Sequence, residues 1–120
     1  PISAPLLQQK DNMCIFRPEF DNKRLAAHYD DQFEIIYQFI QAHPNSRFEV
    51  VGYCDEEGSA DHNVSVSLNR ASVVMEKLID MGVNEDNISY RGEGNRYPIM
   101  INAQSNEEFR WNRRIEIIKK

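Results

Sequence analysis

Apolar positions recur along this chain with two different periods, and the change of period marks out its elements. MCIF at 13–16 is a short apolar run of strand length. From Tyr29 onward, Tyr29, Phe33, Ile36, Tyr37 and Ile40 fall at helical spacing. Asp30, Asp31 and Glu34 sit near the start of this segment, where acids suit the helix dipole, and His43-Pro44 ends it. RFEVVGYC at 47–54 alternates, with Phe48, Val50, Gly52 and Cys54 on one side and Glu49, Val51 and Tyr53 on the other, which predicts a strand with one well-buried face. A second helix is expected where Val64, Leu68, Ala71, Met75 and Leu78 repeat, with Gly82 placed as its C-terminal cap. ISYRG at 88–92 reads as a third strand, SNEEFRWN as a short helical turn, and RRIEIIKK, with Ile115 and Ile117 alternating against Arg114 and Glu116, as the last strand.

The order is strand, helix, strand, helix, strand, strand. Two helices do not cover both faces of a four-stranded sheet, so the pattern predicts a two-layer α/β (α+β) sandwich with one sheet face partly wet. Residues 1–12 carry two prolines and no periodicity, and are expected to be a linker or loosely attached N-terminal arm before a domain at 13–120. A length of 120 residues fits one domain, and 41% hydrophobic with 28% charged residues is ordinary soluble composition. The formal net charge of −5, with no basic stripe, argues against a nucleic-acid partner. No run is apolar enough to be a transmembrane segment. Opening without methionine, the chain reads as a domain of something larger.

Cys14 and Cys54 lie in apolar, strand-like runs and are expected to be small core hydrophobes, although a bridge or a metal site remains open at this level. His62 beside Asp61 lacks a second ligand at the close spacing of zinc motifs, and DEEGSADHN lacks the glycine and glutamate positions of a calcium loop. GEG at 92–94 lacks the third glycine of a nucleotide cradle, and no nucleophile motif is present. Neither a cofactor nor a catalytic residue is expected, and the chain is read as not an enzyme.

What remains is a charge constellation. Asn63, Ser67 and Arg70 stand at i, i+4 and i+7, one polar stripe along the second helix. At 1.5 Å rise per residue Asn63 and Arg70 are roughly 10 Å apart along the axis. Asp55 lies where the chain leaves a strand and turns back toward the helix start, which is where α/β folds place ligands. A zwitterion of amino-acid size would bridge the two, its ammonium on Asp55 and its carboxylate on Arg70. The plainer readings are that Asp55 caps a turn, Arg70 is a solvated helix arginine and Asn63 is a helix N-cap.

GYCDEEGSADHNVSVSLNRASVV at 52–74 resembles the signature of the OmpA-like family, the peptidoglycan-binding C-terminal domain of outer-membrane protein A and of related lipoproteins and flagellar stator proteins. The likeness continues through Gly82-Val83, Gly92, Gly94, Pro98 and Asn102 to NRRIE at 112–116, and spans roughly 13–118. Cys54, Tyr53 and Val66 depart from the usual residues, and Glu108 and Phe109 stand where the family has glycine and arginine. The resemblance implies a β-α-β-α-β-β fold with a mixed four-stranded sheet and noncatalytic binding of the peptidoglycan stem peptide. Asp55 and Arg70 would hold meso-diaminopimelate, with Asn63 and Ser67 beside them and Arg113 near the same groove. It also implies that the last strand separates Cys14 from Cys54, beyond disulfide reach. The location it implies is the periplasm of a Gram-negative bacterium, in a parent protein attached to the outer membrane, with a homodimer left open. Two alternatives stand beside it: an interaction scaffold of the same fold without peptidoglycan binding, motivated by Glu108 and Phe109, and a thiol or metal hydrolase using Cys54 and His62.

Overall fold

A computed structural model of the chain describes residues 3–55 and 58–120. Pro1 and Ile2, the start of the expected arm, and Glu56 and Glu57, in the turn after Asp55, lie outside the described residues. The elements are β1 (Leu7–Gln9), β2 (Met13–Phe16), β3 (Phe20–Asp21), β4 (Arg24–Leu25), α1 (Asp30–Gln41), β5 (Phe48–Tyr53), α2 (Ala60–Asp80), a 3-10 turn (Glu85–Asn87), β6 (Ile88–Gly94), α3 (Asn106–Arg110) and β7 (Arg114–Lys119). The mixed α/β architecture holds, but the sheet has five strands in the order β1-β2-β7-β5-β6 rather than four. Only β5 and β6 run parallel; the remaining pairs are antiparallel.

Both additions to the expected pattern come from the N-terminal quarter. Leu7–Gln9, inside the segment expected to be a loose arm, pairs with β2, and Leu7 packs on the core. Three residues are too few for period-2 alternation to show. β3 and β4 form a small hairpin turning through Asn22, whose φ of 58° is the left-handed geometry that asparagine tolerates well.

α1 and α2 cover the same face of the sheet. α1 follows Tyr29 as its N-cap, and its Phe33 meets Phe16 of β2 edge-on with ring centroids 5.4 Å apart. Cys14 and Phe16 on β2, Phe48 and Val50 on β5, and Ile115 and Ile117 on β7 point into this layer, as alternation requires. The opposite face is drier than expected: Ile15, Val51 and Tyr53 are all buried there. Charged side chains roof it. Arg114 lies over the Tyr53 ring at 3.7 Å and pairs with Glu116, while Arg91 links Glu49 and Glu93.

The buried seam of α2 differs from the expected one. It runs through Asn63, Ser67, Ala71, Val74 and Leu78, while Leu68 is 40% exposed. The glycines of the underlying strands explain the shift. A Cβ at Gly52 would stand 2.8 Å from the Ser67 carbonyl carbon and closer still to its oxygen; one at Gly94 would meet the Asn63 backbone carbon at 3.2 Å. Helix backbone therefore rests directly on strand backbone, and the seam has room only for small or compact residues.

Cys14 and Cys54 are buried and not joined by a disulfide; β7 lies between β2, which holds Cys14, and β5, which Cys54 follows. Burial pushes the Cys14 thiol up to about 11. Without reductant, the unfolded protein should titrate two thiols with an aromatic disulfide reagent, and the native protein should react far more slowly; fewer than two after unfolding contradicts the free-thiol arrangement. Ser67→Ala should destabilise the fold by about 1–3 kcal/mol in urea denaturation, because the Ser67 hydroxyl accepts from the buried Gly94 N–H at 2.8 Å. No change would mean that this contact is replaced without loss.

Candidate functional site

Helix α2 starts at Ser59, whose side chain accepts from the His62 N–H at 3.1 Å. Ser59 is therefore the N-cap, and Asn63 is not. Asn63 lies one turn into the helix with no exposed surface, and its carbonyl accepts from the Cys54 thiol at 3.5 Å. Ser67 is fully buried too, and its hydroxyl donates to the Val64 carbonyl at 3.0 Å while accepting from Gly94. The second of these contacts ties α2 to β6, which places Ser67, expected beside the ligand, in the helix–sheet joint. Asn63 and Ser67 belong to the seam under the site rather than to a stripe facing a guest.

Asp55 follows β5 at its C-terminal end. Its side chain is 9% exposed, and Arg113 Nη1 approaches its Oδ2 to 3.4 Å. Arg113 also donates to Asn106 Oδ1 at 3.1 Å, which ties it to the start of α3. Asp55 borders a cavity of about 250 Å³ together with Asn102, Phe109 and Asn112. One wall is the loop after β6, and Asn112 fastens it by a two-point contact: the Met100 N–H donates to Asn112 Oδ1 at 2.8 Å, and Asn112 Nδ2 donates to the Met100 carbonyl at 3.0 Å. Arg114 adds a hydrogen bond to the Tyr97 carbonyl at 2.9 Å.

Arg70 lines a different, adjoining cavity of about 180 Å³, and its guanidinium carbon lies 5.1 Å from the centre of the Phe20 ring. Arg17, Arg110, Arg113 and Arg114 border the same space. Arg113 therefore stands between the two cavities, paired with Asp55 on one side and lining the Arg70 cavity on the other. The expected constellation thus places Asp55, Arg113 and Arg70 in sequence along one end of the sheet.

Three contributors escape the sequence reading: Phe20, Arg17 and Arg110. Phe20 depends on the β3–β4 hairpin, for which the polar run Asp21-Asn22-Lys23-Arg24 between Phe20 and Leu25 is the available signal. Arg17 is 2% exposed and donates to Gln8 Oε1 at 2.7 Å and to the Pro5 and Trp111 carbonyls. Burial, with the nearby charges of Arg114 and Arg110, pulls its guanidinium down to about 10. Phe109, one of the departures from the family pattern, borders the Asp55 cavity, while its neighbour Arg110 borders the Arg70 cavity. His62 is exposed on the surface of α2, and the described residues contain no group of three histidine, cysteine or acidic side chains able to hold a metal. No described helix is long and apolar enough to cross a membrane.

Comparison with known proteins agrees with this architecture. The OmpA family model matches residues 19–112. The peptidoglycan-associated lipoprotein of Legionella pneumophila is 29% identical over 99 residues, covering 82% of this chain and 56% of that protein. The peptidoglycan-binding protein ArfA of Mycobacterium tuberculosis (strain CDC 1551 / Oshkosh) is 37% identical over 79 residues, 66% of this chain and 24% of its own length. The chain thus spans about half or less of these curated relatives. Among solved structures, the periplasmic domain of Helicobacter pylori MotB superimposes with a TM-score of 0.76 at 26% identity, covering 97% of this chain and 88% of that one. The peptidoglycan-associated lipoprotein of Burkholderia pseudomallei shares the fold with a TM-score of 0.75 at 21% identity, covering 91% and 90%. With the motif series, the mixed sheet and a family match over residues 19–112, the chain belongs to the OmpA family.

Proposed function

We propose that this domain is a noncatalytic peptidoglycan binder that anchors its parent protein to the cell wall from the periplasmic side of an outer membrane. The single observation that carries the reading is the row Asp55, Arg113, Arg70 at the C-terminal end of β5, an acid and two cations beside adjoining cavities. The ligand is the stem peptide, recognised at meso-diaminopimelate. Its ammonium goes to Asp55, sharing the carboxylate with Arg113, and its carboxylate goes to Arg70. Asn63 shapes the floor beneath Asp55. The names of the relatives from Legionella pneumophila and Mycobacterium tuberculosis support binding to peptidoglycan; the choice of amino acid within it is our reading of the charges.

Nothing in this arrangement requires bond breaking. The Cys54 thiol points its hydrogen at the Asn63 carbonyl and is 2% exposed, a packing role and not that of a nucleophile. One observation favours a second reading, the protein-interaction scaffold: Tyr97, Ile99 and Ile101 are 66%, 44% and 72% exposed on the loop that walls the Asp55 cavity, and apolar surface of that kind also suits a protein partner.

A hydrogen bond to a charged group contributes about 1.5–3 kcal/mol. Titration calorimetry with a diaminopimelate-containing peptide should therefore show Arg70→Ala and Asp55→Asn each weakening binding by roughly ten- to a hundredfold. Unchanged affinity in both refutes the assignment. In co-sedimentation with purified sacculi the wild-type domain should pellet; if it stays in the supernatant, the scaffold reading replaces the wall-binding one.

A further inference from the structure

β6, the longest strand of the sheet, lies at its edge. Its seven residues pair with β5 on one side, and no described strand pairs with the other. Every second residue of such a strand turns its N–H and C=O away from the sheet, which makes the edge a template for a further strand. The opposite edge is blunted by brevity, since β1 has only three residues. β6 has neither that protection nor a proline or lysine of its own.

The two sides of this edge differ in chemistry. Tyr90 shares the α2 side of the strand with Ile88 and Gly92 and is 43% exposed. Leu68, whose backbone rests on Gly92, is exposed beside it. Leu68 was expected in the core from its periodicity; its place at the rim leaves an apolar pair along the edge. On the other side stand Arg91 and Glu93. Arg91 Nε lies 3.1 Å from Glu49 Oε2 and its Nη1 3.1 Å from Glu93 Oε1, yet the Arg91 side chain remains 42% exposed. It can therefore accept a further acid from outside.

The order of these residues selects the strand that fits. Two copies related by a two-fold axis, with their helices on the same face, pair their β6 strands antiparallel with one residue opposite its own mate. Centred on Arg91, the two guanidiniums meet, and like charges directly opposite are unfavourable. Centred on Tyr90, Arg91 faces Ser89 of the second copy and finds no charge. Centred on Gly92, Arg91 faces Glu93 of the second copy and Glu93 faces its Arg91, two equivalent ion pairs. In the same register each Tyr90 lies beside Gly94 of the other copy, where the missing side chain leaves room for the ring. We propose that β6 is a homodimerisation edge, at which a second copy of this chain adds its own β6 antiparallel about Gly92 and joins the two sheets into one of ten strands.

Sedimentation velocity of the whole chain, in a concentration series up to about 1 mM, should show reversible dimers. A monomer throughout overturns the proposal. Arg91→Glu sets acid against acid at both points and should weaken association about tenfold; adding Glu93→Arg should restore it to within about threefold of the wild type. Unchanged association in Arg91→Glu, or no recovery in the double variant, overturns the charge pairing on which the register rests. Amide fingerprints verify that both variants keep the fold. A second measurement leaves these charges intact. Ser89 is exposed, whereas the native thiols are buried, so Ser89→Cys takes a nitroxide label selectively. Double electron–electron resonance should then give about 20 Å between the labels of a dimer, against about 14 Å for pairing centred on Arg91. Any principal distance other than the first overturns the pairing about Gly92.

Discussion

The close approach of α2 to the glycines of β5 and β6 is the contact on which the rest of the site depends. Helix backbone can rest on strand backbone only where no Cβ intervenes, and Gly52, Gly92 and Gly94 remove it at three consecutive points under Asn63, Val64, Ser67 and Leu68. The Ser67 hydroxyl completes the joint by accepting from the Gly94 N–H, and the Cys54 N–H reaches the Gly94 carbonyl at 2.8 Å. With the helix pinned at this end, Arg70 is carried to the flank of the sheet beside Phe20, while Asp55 is fixed at the strand end by its continuity with β5. Interchange of one of these glycines for alanine would push α2 outward, and Arg70 with it.

Charge at this end of the molecule is arranged in depth. Arg17 and Arg114 are buried and work as braces, donating to the carbonyls of Pro5, Trp111, Asn112 and Tyr97. The same two side chains stack over Trp111 and Tyr53, so each also covers apolar surface. Only then do Arg110 and Arg113 reach the surface. The order matters physically: inner cations hold the loop and the N-terminal segment in place, and the outer ones pair with Glu19 and Asp55.

Much of this was legible in the residues. β2 was bounded correctly by its apolar run, and the two long helices and β7 were located by their periodicity, although α2 begins one turn before its first periodic residue, Val64. The unread parts share a cause, which is brevity or context. β1 has three residues and the hairpin strands two each, below the length at which any period can be measured. The seam of α2 was misplaced because Asn63 and Ser67 are polar, and a polar residue is assigned to the surface unless the partner is known to be glycine. Tyr53 and Val51 are buried on the face expected to be wet because long charged side chains, which the pattern counts as solvent-facing, lie across them. Asp55 and Arg113 were picked out from motif positions, yet their mutual ion pair could not be foreseen, since it depends on how α3 turns the chain into β7.

The position of β7 has a consequence for how the molecule comes together. This strand follows every other strand in the chain, yet it lies in the middle of the sheet between β2 and β5. The N-terminal hairpin and the central parallel pair therefore have no common border until β7 slots between them, and the hydrophobic layer beneath cannot close before that. A chain shortened ahead of Arg114 would leave two half-sheets with bare inner edges, open to pairing with other molecules. During synthesis, the interval before that insertion is when these inner edges stay bare.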